Sequence, residues 1–581
     1  LKIVYLVFSA RCYYPAPNIG VSTLVRLFRR VIKKRNREIC MPSFLRIRIV
    51  PFILLLAFIF AFLLNWPVLL HFYEILTQLE HFKIGFAISI PIVLVAALNF
   101  VFMPFSVRYF IKPFFAFLFI TGAIASYTMM KYKVLFDGDM IQNIFETNQS
   151  EAYSYLSVPI VVWVLLAGVL PAVLLFFVKI EYPAKWYQGL LQRGLSMLAS
   201  LAVLGLIAAV YYQDYASVGR NNQTLNREIT PANYMYSTTK YLYKRYLAEP
   251  VPFQRMGDDA KRVAGKEKPT MMFLVVGETA RGKNFSMNGY HKETNPFTSQ
   301  QAGIISFNDV RSCGTATAVS VPCMFSNMGR NQFDGNQARN SEGLLDVLQK
   351  SGISIFWKEN DGGCKGVCDR VPNMVVKPKD HPKFCDKNTC YDEVVLEGLD
   401  DELAGMKGDK LVGFHLIGSH GPTYYKRYPG SHRHFLPDCQ RSDIENCTDQ
   451  ELENTYDNTI RYTDFVIASM IERLKKYEDK YNTALIYISD HGESLGALGL
   501  YLHGTPYKFA PDDQTRVPMQ VWMSPGFSKE KGMNLDCLQQ KAANTRYSHD
   551  NLFSSMLGIW DVNTAVYDQQ LDIFSQCRSV Q

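Results

Sequence analysis

Five uncharged, strongly apolar runs, at 49–73, 84–107, 113–130, 152–178 and 194–213, dominate the first 213 residues of this 581-residue chain. Each reaches the roughly 18 residues that a bilayer-crossing helix needs, and none carries the polar face expected of a helix on a soluble core. A five-helix transmembrane domain over 49–213 is the expectation. The whole chain nevertheless has a mean hydropathy of only −0.03, so the remainder must be ordinary soluble protein. The net charge of +8 is modest, and much of the basic excess lies before residue 49, so nucleic acid is not an expected partner.

Short loops set the orientation. Arg108 and Lys112 separate runs two and three without an acid, and Lys179, Lys185 and Arg193 follow run four with only Glu181. On the other side Glu74 and Glu80 face only Lys83, while Asp137, Asp139, Glu146 and Glu151 outnumber Lys131 and Lys133. Positive-inside bias puts residues 1–48 in the cytoplasm, and an odd number of spans delivers everything after Gln213 to the outside. The basic block Arg26–Arg37 follows an apolar stretch instead of preceding one, which argues against a cleaved signal peptide and leaves Met41 as a natural start.

Cysteine usage is an independent compartment signal. Only Cys12 and Cys40 precede the first run; Cys313, Cys323, Cys364, Cys368, Cys385, Cys390, Cys439, Cys447, Cys537 and Cys577 all follow the last. No CxxC occurs, which disfavours zinc ribbons and thioredoxin-type redox sites. Close spacing suggests pairs 313–323, 364–368, 385–390 and 439–447, leaving 537 with 577, although spacing alone does not fix connectivity. Disulfides imply an oxidising space such as a bacterial periplasm.

Residues 214–265 form a polar connector in which Tyr234, Tyr236, Tyr241, Tyr243 and Tyr246 interleave with Lys240, Lys244 and Arg245, a composition suited to the headgroup layer or to a plain linker helix. Beyond it, over 266–581, Met271–Val276, Leu411–Ile417 and Ala484–Ile488 are short apolar runs ending abruptly in polar residues, and Glu342–Lys350 and Tyr456–Lys476 carry helical spacing. Alternation of this kind predicts a doubly wound α/β sheet whose polar strand ends share one edge. Glu278, His420, Asp490, His491 and His503 would gather there, carboxylates and imidazoles of the sort zinc accepts. The small-residue stretch Cys313–Cys323 is the best source of a hydroxyl nucleophile, and a helix starting within it would offer free N–H groups to a phosphate.

The strings Val276–Thr279, Cys313–Ser320, Gly418–Tyr425, Ser489–Ser494 and Tyr501–Gly504 closely resemble the lipid A phosphoethanolamine transferases, a family that includes the mobile colistin-resistance enzymes. The resemblance is dense over 270–560 and weaker in the membrane half. It implies an alkaline-phosphatase-like domain in which Glu278, Thr317, Asp490 and His491 hold Zn2+, with Thr317 as nucleophile. By the same resemblance His420 and His503 bind a second zinc or the phosphate, and Lys365 binds substrate. Asn143, Thr147 and Glu151, spaced by four on one helix face, would hold the ethanolamine head group. The implied reaction moves phosphoethanolamine from phosphatidylethanolamine to a phosphate of lipid A, at the inner membrane of a Gram-negative bacterium and as a monomer, which would favour polymyxin resistance. Rival readings are a phosphoglycerol transferase of the lipoteichoic acid synthase type and a non-enzymatic membrane metal sensor. A sulfatase would need Cys-x-Pro-x-Arg or Ser-x-Pro-x-Arg, and Ser320-Val321-Pro322-Cys323-Met324 lacks the Arg.

Overall fold

The computed structural model describes residues 45–77, 82–147, 149–222, 224–247, 251–262 and 268–579; the basic block and the Met41 start fall outside them. Four helices, Ile84–Phe105, Ile111–Tyr132, Val158–Phe177 and Trp186–Ala216, are each long and apolar enough to cross a bilayer, and the pair Ile49–Leu64 and Trp66–Thr77, bent by 61°, supplies a fifth crossing if counted as one span. The bend falls at Asn65, directly ahead of Trp66-Pro67, and a proline in the first turn of a helix removes no needed hydrogen bond. A buried amide in hydrocarbon is costly unless fully bonded. Asn65 donates to the carbonyls of Phe60 (3.0 Å) and Thr230 (2.7 Å) and accepts from the Thr230 N–H (2.7 Å), which clasps the first span to the connector.

Two other boundaries differ from the hydropathy reading. The fourth span starts at Val158, because Gln149–Ser154 is a separate short helix. The fifth starts at Trp186 and runs to a kink at Tyr211 (φ −119°, ψ 18°), beyond which a second helical stretch continues to Asn221. At 1.5 Å per residue the part before the kink is about 37 Å, already enough for a hydrocarbon core of about 30 Å. Gly168 lets the third and fourth spans touch, since a Cβ there would come within 3.2 Å of the Ile120 backbone. Leu45–Arg48 pairs in parallel with Val178–Glu181, and Arg193 donates to the Ser106 carbonyl at 2.8 Å. The basic loops therefore gather at one end of the bundle.

The connector contains a helix, Ala232–Leu242. Tyr236, Tyr243 and Tyr246 are exposed, as a headgroup location requires. Tyr234 is not: it is buried, with its hydroxyl 2.9 Å from that of Thr121 on the third span.

The second half is built on one eight-stranded sheet: β1 (Thr270–Gly277), β2 (Ile304–Arg311), β3 (Ser354–Glu359), β4 (Asn373–Val375), β5 (Lys410–His415), β6 (Asn482–Ser489), β7 (Arg516–Met523) and β8 (Arg546–Ser548). Their spatial order is β8-β2-β7-β6-β1-β5-β3-β4, and only β7 runs against its neighbours. Period-two alternation sends Met272, Leu274 and Val276 of β1 into one apolar cluster and Met271, Phe273 and Val275 into the other. Because both faces are covered, the central strands read as continuous apolar runs. On the second face lies the 27-residue helix Asp449–Lys475, opened by a capping box between Thr448 and Glu451.

Among the described residues five disulfides join Cys313 to Cys323, Cys364 to Cys368, Cys385 to Cys390, Cys439 to Cys447 and Cys537 to Cys577. The sheet domain is docked on the ends of the spans opposite the basic loops. Tyr127, Tyr132 and Ile160 share the apolar cluster that contains Phe273 and Tyr424. A short helix after the third span, Gly138–Glu146, reaches further: Gln142 donates to the Ala318 carbonyl at 3.0 Å, and Glu146 pairs with Arg339 at 3.6 Å.

Candidate active site and metal centre

The carboxyl edge of the sheet brings four elements together. Glu278 follows β1, Asp490 and His491 follow β6, and Thr317 is the first residue of the helix Thr317–Met324, which follows β2. Glu278, Asp490 and His491 are completely buried and Thr317 nearly so. The Thr317 hydroxyl donates to Glu278 Oε2 at 3.1 Å and lies 3.3 Å from His491 Nε2. His491 Nδ1 donates to the Gly492 carbonyl at 2.8 Å, so Nε2 keeps its lone pair. That lone pair faces Asp490 Oδ2 at 3.3 Å and Glu278 Oε1 at 3.5 Å.

Three acceptor atoms thus converge, while the Thr317 hydroxyl donates to the other Glu278 oxygen. Among the described residues Glu278 Oε1 and Asp490 Oδ2 are buried without a hydrogen-bond partner, a state that is expensive for a carboxylate unless a cation shares the space. Burial, and then the Asp490 and Asp361 charges, push the Glu278 carboxyl well above its usual range; burial likewise pulls His491 down to about 4, leaving a neutral imidazole. Zinc bonds of about 2.0–2.2 Å to O and N at tetrahedral angles would set donor atoms roughly 3.3–3.5 Å apart. The observed spacings of 3.1–3.5 Å fit that group, with the Thr317 oxygen completing the four.

A second triple, Glu278, Asp361 and His415, also has its ligand atoms within 4.8 Å of one another. Burial would lower the His415 pKa, yet hydrogen-bonded Glu359 (3.0 Å) and the Asp361 charge raise it to about 9. Neither Asp361 nor His415 stood out in the sequence; they meet Glu278 only through the β1–β5–β3 register, which sets Val276 and Glu359 opposite His415.

His549 also went unnoticed. It accepts from the Cys313 N–H at 3.1 Å through Nδ1 and donates to the Ser489 carbonyl at 2.9 Å through Nε2, with the Ser320 hydroxyl 3.2 Å away. It thereby bridges the loop that leads into the helix Thr317–Met324 to the strand end carrying Asp490 and His491.

His503 lies beside the cluster, its ring centroid 4.5 Å from that of His491, and His420 follows 5.7 Å further on. His503 Nδ1 donates to Glu493 (2.9 Å), whose other oxygen accepts from Tyr424 (2.8 Å). Lys365, whose charge like that of His420 counters the burial that raises the Asp361 pKa, comes from a different segment. It has a left-handed φ of 50° in the glycine-rich turn after β3 and lines a cavity of about 510 Å³ with Glu146, Pro322 and Arg339. The expected single helix face for Asn143, Thr147 and Glu151 is not formed. The helix stops at Glu146, Thr147 is extended with ψ 130°, its hydroxyl caps the Asn143 carbonyl at 2.7 Å, and a new helix starts at Gln149.

A family profile described as phosphoethanolamine transferase EptA/EptB matches residues 94–246, and the sulfatase profile matches residues 270–562. Phosphoethanolamine transferase EptA of Escherichia coli strain K12 is 41% identical over 85% of this chain and 90% of its own length. Phosphatidylethanolamine transferase Mcr-1 of Escherichia coli is 36% identical over 83% and 89%. Among solved structures, the integral membrane lipooligosaccharide phosphoethanolamine transferase A of Neisseria meningitidis aligns with a TM-score of 0.88 at 35% identity, over 92% of this chain and all of that one. The architecture is thus an N-terminal membrane domain joined to an α/β domain of the sulfatase and alkaline phosphatase type. On profile, identity and coverage together, the chain belongs to the EptA/EptB family of phosphoethanolamine transferases and is an enzyme of that kind.

Proposed function

We propose that this enzyme moves phosphoethanolamine from phosphatidylethanolamine to a phosphate of lipid A through a covalent intermediate on Thr317. The observation that carries the reading is the Thr317 hydroxyl between Glu278 and His491, at the head of a helix and beside two partnerless carboxylate oxygens. Glu278, Thr317, Asp490 and His491 would hold Zn2+, whose Lewis acidity supplies a lowered hydroxyl pKa and charge stabilisation.

The chain's own groups do the rest. Thr317 Oγ1 attacks the phosphorus of the donor, its proton passes along the hydrogen bond to Glu278 and on to the glycerol oxygen, and the P–O bond to glycerol breaks to release diacylglycerol. A phosphate oxygen of lipid A then attacks the phosphothreonine, the P–Oγ1 bond breaks, and Thr317 regains a proton. Free N–H groups in the first turn of its helix, together with His420, His503 and Lys365, offset charge on the transferring group, or the two histidines hold a second zinc. Asn143, Thr147 and Glu151 would receive the ethanolamine. The setting is a multi-pass protein of a Gram-negative inner membrane, acting as a monomer, with residues 1–48 cytoplasmic, 49–213 in the bilayer, 214–265 connecting and 266–581 periplasmic. The product carries an added ammonium, which weakens attraction of cationic peptides such as polymyxin.

With phosphatidylethanolamine and no acceptor, the peptide containing Thr317 should gain a phosphoethanolamine mass. Thr317→Ala should lose on the order of 10²-fold or more in rate. An adduct on Thr315 or Ser320, or unchanged turnover in Thr317→Ala, would reject the assignment.

A further inference from the structure

An apolar groove of about 520 Å³ opens between the bent second half of the first span, the second span and the outer end of the fifth. Phe72, Ile90, Leu94 and Val218 are among its walls, and Gly219 leaves it open, with nothing within 4 Å of where a Cβ would stand. Ile90 and Leu94 lie six and ten residues inside the outer end of their helix, about 9 and 15 Å deep, which is the outer half of a bilayer core of about 30 Å. The mouth has the opposite character. Arg227 and Lys508 stand there over the Phe509 ring, at 5.5 and 5.8 Å from its centroid.

Two routes connect that mouth to the nucleophile. Arg227 pairs with Asp137 (3.6 Å), which caps the helix whose Gln142 holds the Ala318 carbonyl. The loop before Lys508 is bonded to the segment preceding Thr317, with the Gly504 N–H on the Thr315 carbonyl (2.7 Å) and the Thr315 hydroxyl on the Thr505 carbonyl (2.6 Å). Apolar walls at outer-leaflet depth with a pair of cations at the rim match a lipid tail below a phosphate.

We propose that this groove holds an acyl chain of a two-chain glycerophospholipid, with the lipid phosphate against Arg227 and Lys508. On the donor reading given above, it is where the donor is held by its tail while its head group reaches Thr317.

The test uses the full chain in phosphatidylcholine nanodiscs containing phosphatidylethanolamine with a diazirine on its acyl chain. Photolabel should map to the peptides holding Ile90–Ala97 and Val218–Ile229. Gly219→Trp fills the groove, and since excluding even two methylenes costs about tenfold in affinity, labelling of those peptides should fall at least that far. Gly205→Trp, on the lipid-facing side of the same helix, where nothing lies within 4 Å of a Cβ, should not lower it. Equal labelling in Gly219→Trp and the unmutated chain, labelling concentrated elsewhere, or stronger labelling by a lipid A carrying the same diazirine would overturn the proposal. Labelling does not depend on turnover, so a protein that labels as expected but transfers nothing would refute the donor reading and leave the groove standing.

Discussion

Replacing His549 by leucine keeps much of the buried volume and removes both hydrogen bonds of the bridge. The Cys313 N–H and the Ser489 carbonyl would then be buried without partners, at about 1–3 kcal/mol each, so a loss of about 2–6 kcal/mol is expected. Against a typical domain stability of 5–15 kcal/mol that is large, and it corresponds to a fall in melting temperature on the order of 10 °C. Acidity gives a second readout. Burial pulls His549 down to about 4 in the folded chain, against about 6.5 when unfolded. Between those values the unfolded state binds a proton that the folded state refuses, so stability is full above pH 6.5 and drains as pH falls toward 4, by about 3 kcal/mol from this residue. Differential scanning of the full chain in detergent from pH 7.5 to 4.5 should show a steeper decline for the native sequence than for His549→Leu. Parallel declines, or a variant as stable as its parent at pH 7.5, would refute the bridging role.

Chelation should abolish transfer and added zinc should restore it, and Asp490→Ala should lose bound zinc by elemental analysis; full activity in a metal-free preparation would remove the metal from the mechanism. Among the disulfides, Cys537–Cys577 closes a separation of 40 residues and Cys364–Cys368 one of 4. Loop entropy therefore predicts losses of about 4 and about 2 kcal/mol for the respective double Cys→Ser variants, read as denaturation midpoints. For orientation, alkaline phosphatase fused after residue 260 should be active and green fluorescent protein at the same point dark, and the reverse pair of results would invert the proposed topology.

The central strands were legible because β1, β5 and β6 are buried on both faces and end at once in polar side chains, a local signal that needs no knowledge of neighbours. β2 was not, because its burial is mixed and it sits near the sheet edge beyond the reversed strand. The kink at Asn65 had a signal, one amide ahead of a proline, that averaging over the apolar run concealed. The residues implied by resemblance, Glu278, Thr317, Asp490 and His491, converge in space, but Asp361, His415 and His549 carry no local pattern at all. Each matters through a partner more than 50 residues away in the chain: His415 for Asp361, Glu359 for His415, and Cys313 and Ser489 for His549. Helical spacing misled for Asn143 and Thr147, where the helix ends between them in a threonine turn that composition does not announce.

The docking of the sheet domain on the ends of the spans away from the basic loops, through the Gln142 bond to the Ala318 carbonyl and the apolar seat formed by Tyr127, Tyr132 and Ile160, changes what concentration means for such an enzyme. A domain on a loose tether explores a volume, whereas one seated on its own anchor keeps its reactive hydroxyl at a set height and meets only what diffuses laterally beneath it. Encounter frequency then follows the number of lipids per unit area and is indifferent to how many vesicles share the tube. Diluting the bilayer with an inert lipid should slow such an enzyme in proportion, while adding buffer to the same vesicles should leave turnover per enzyme unchanged.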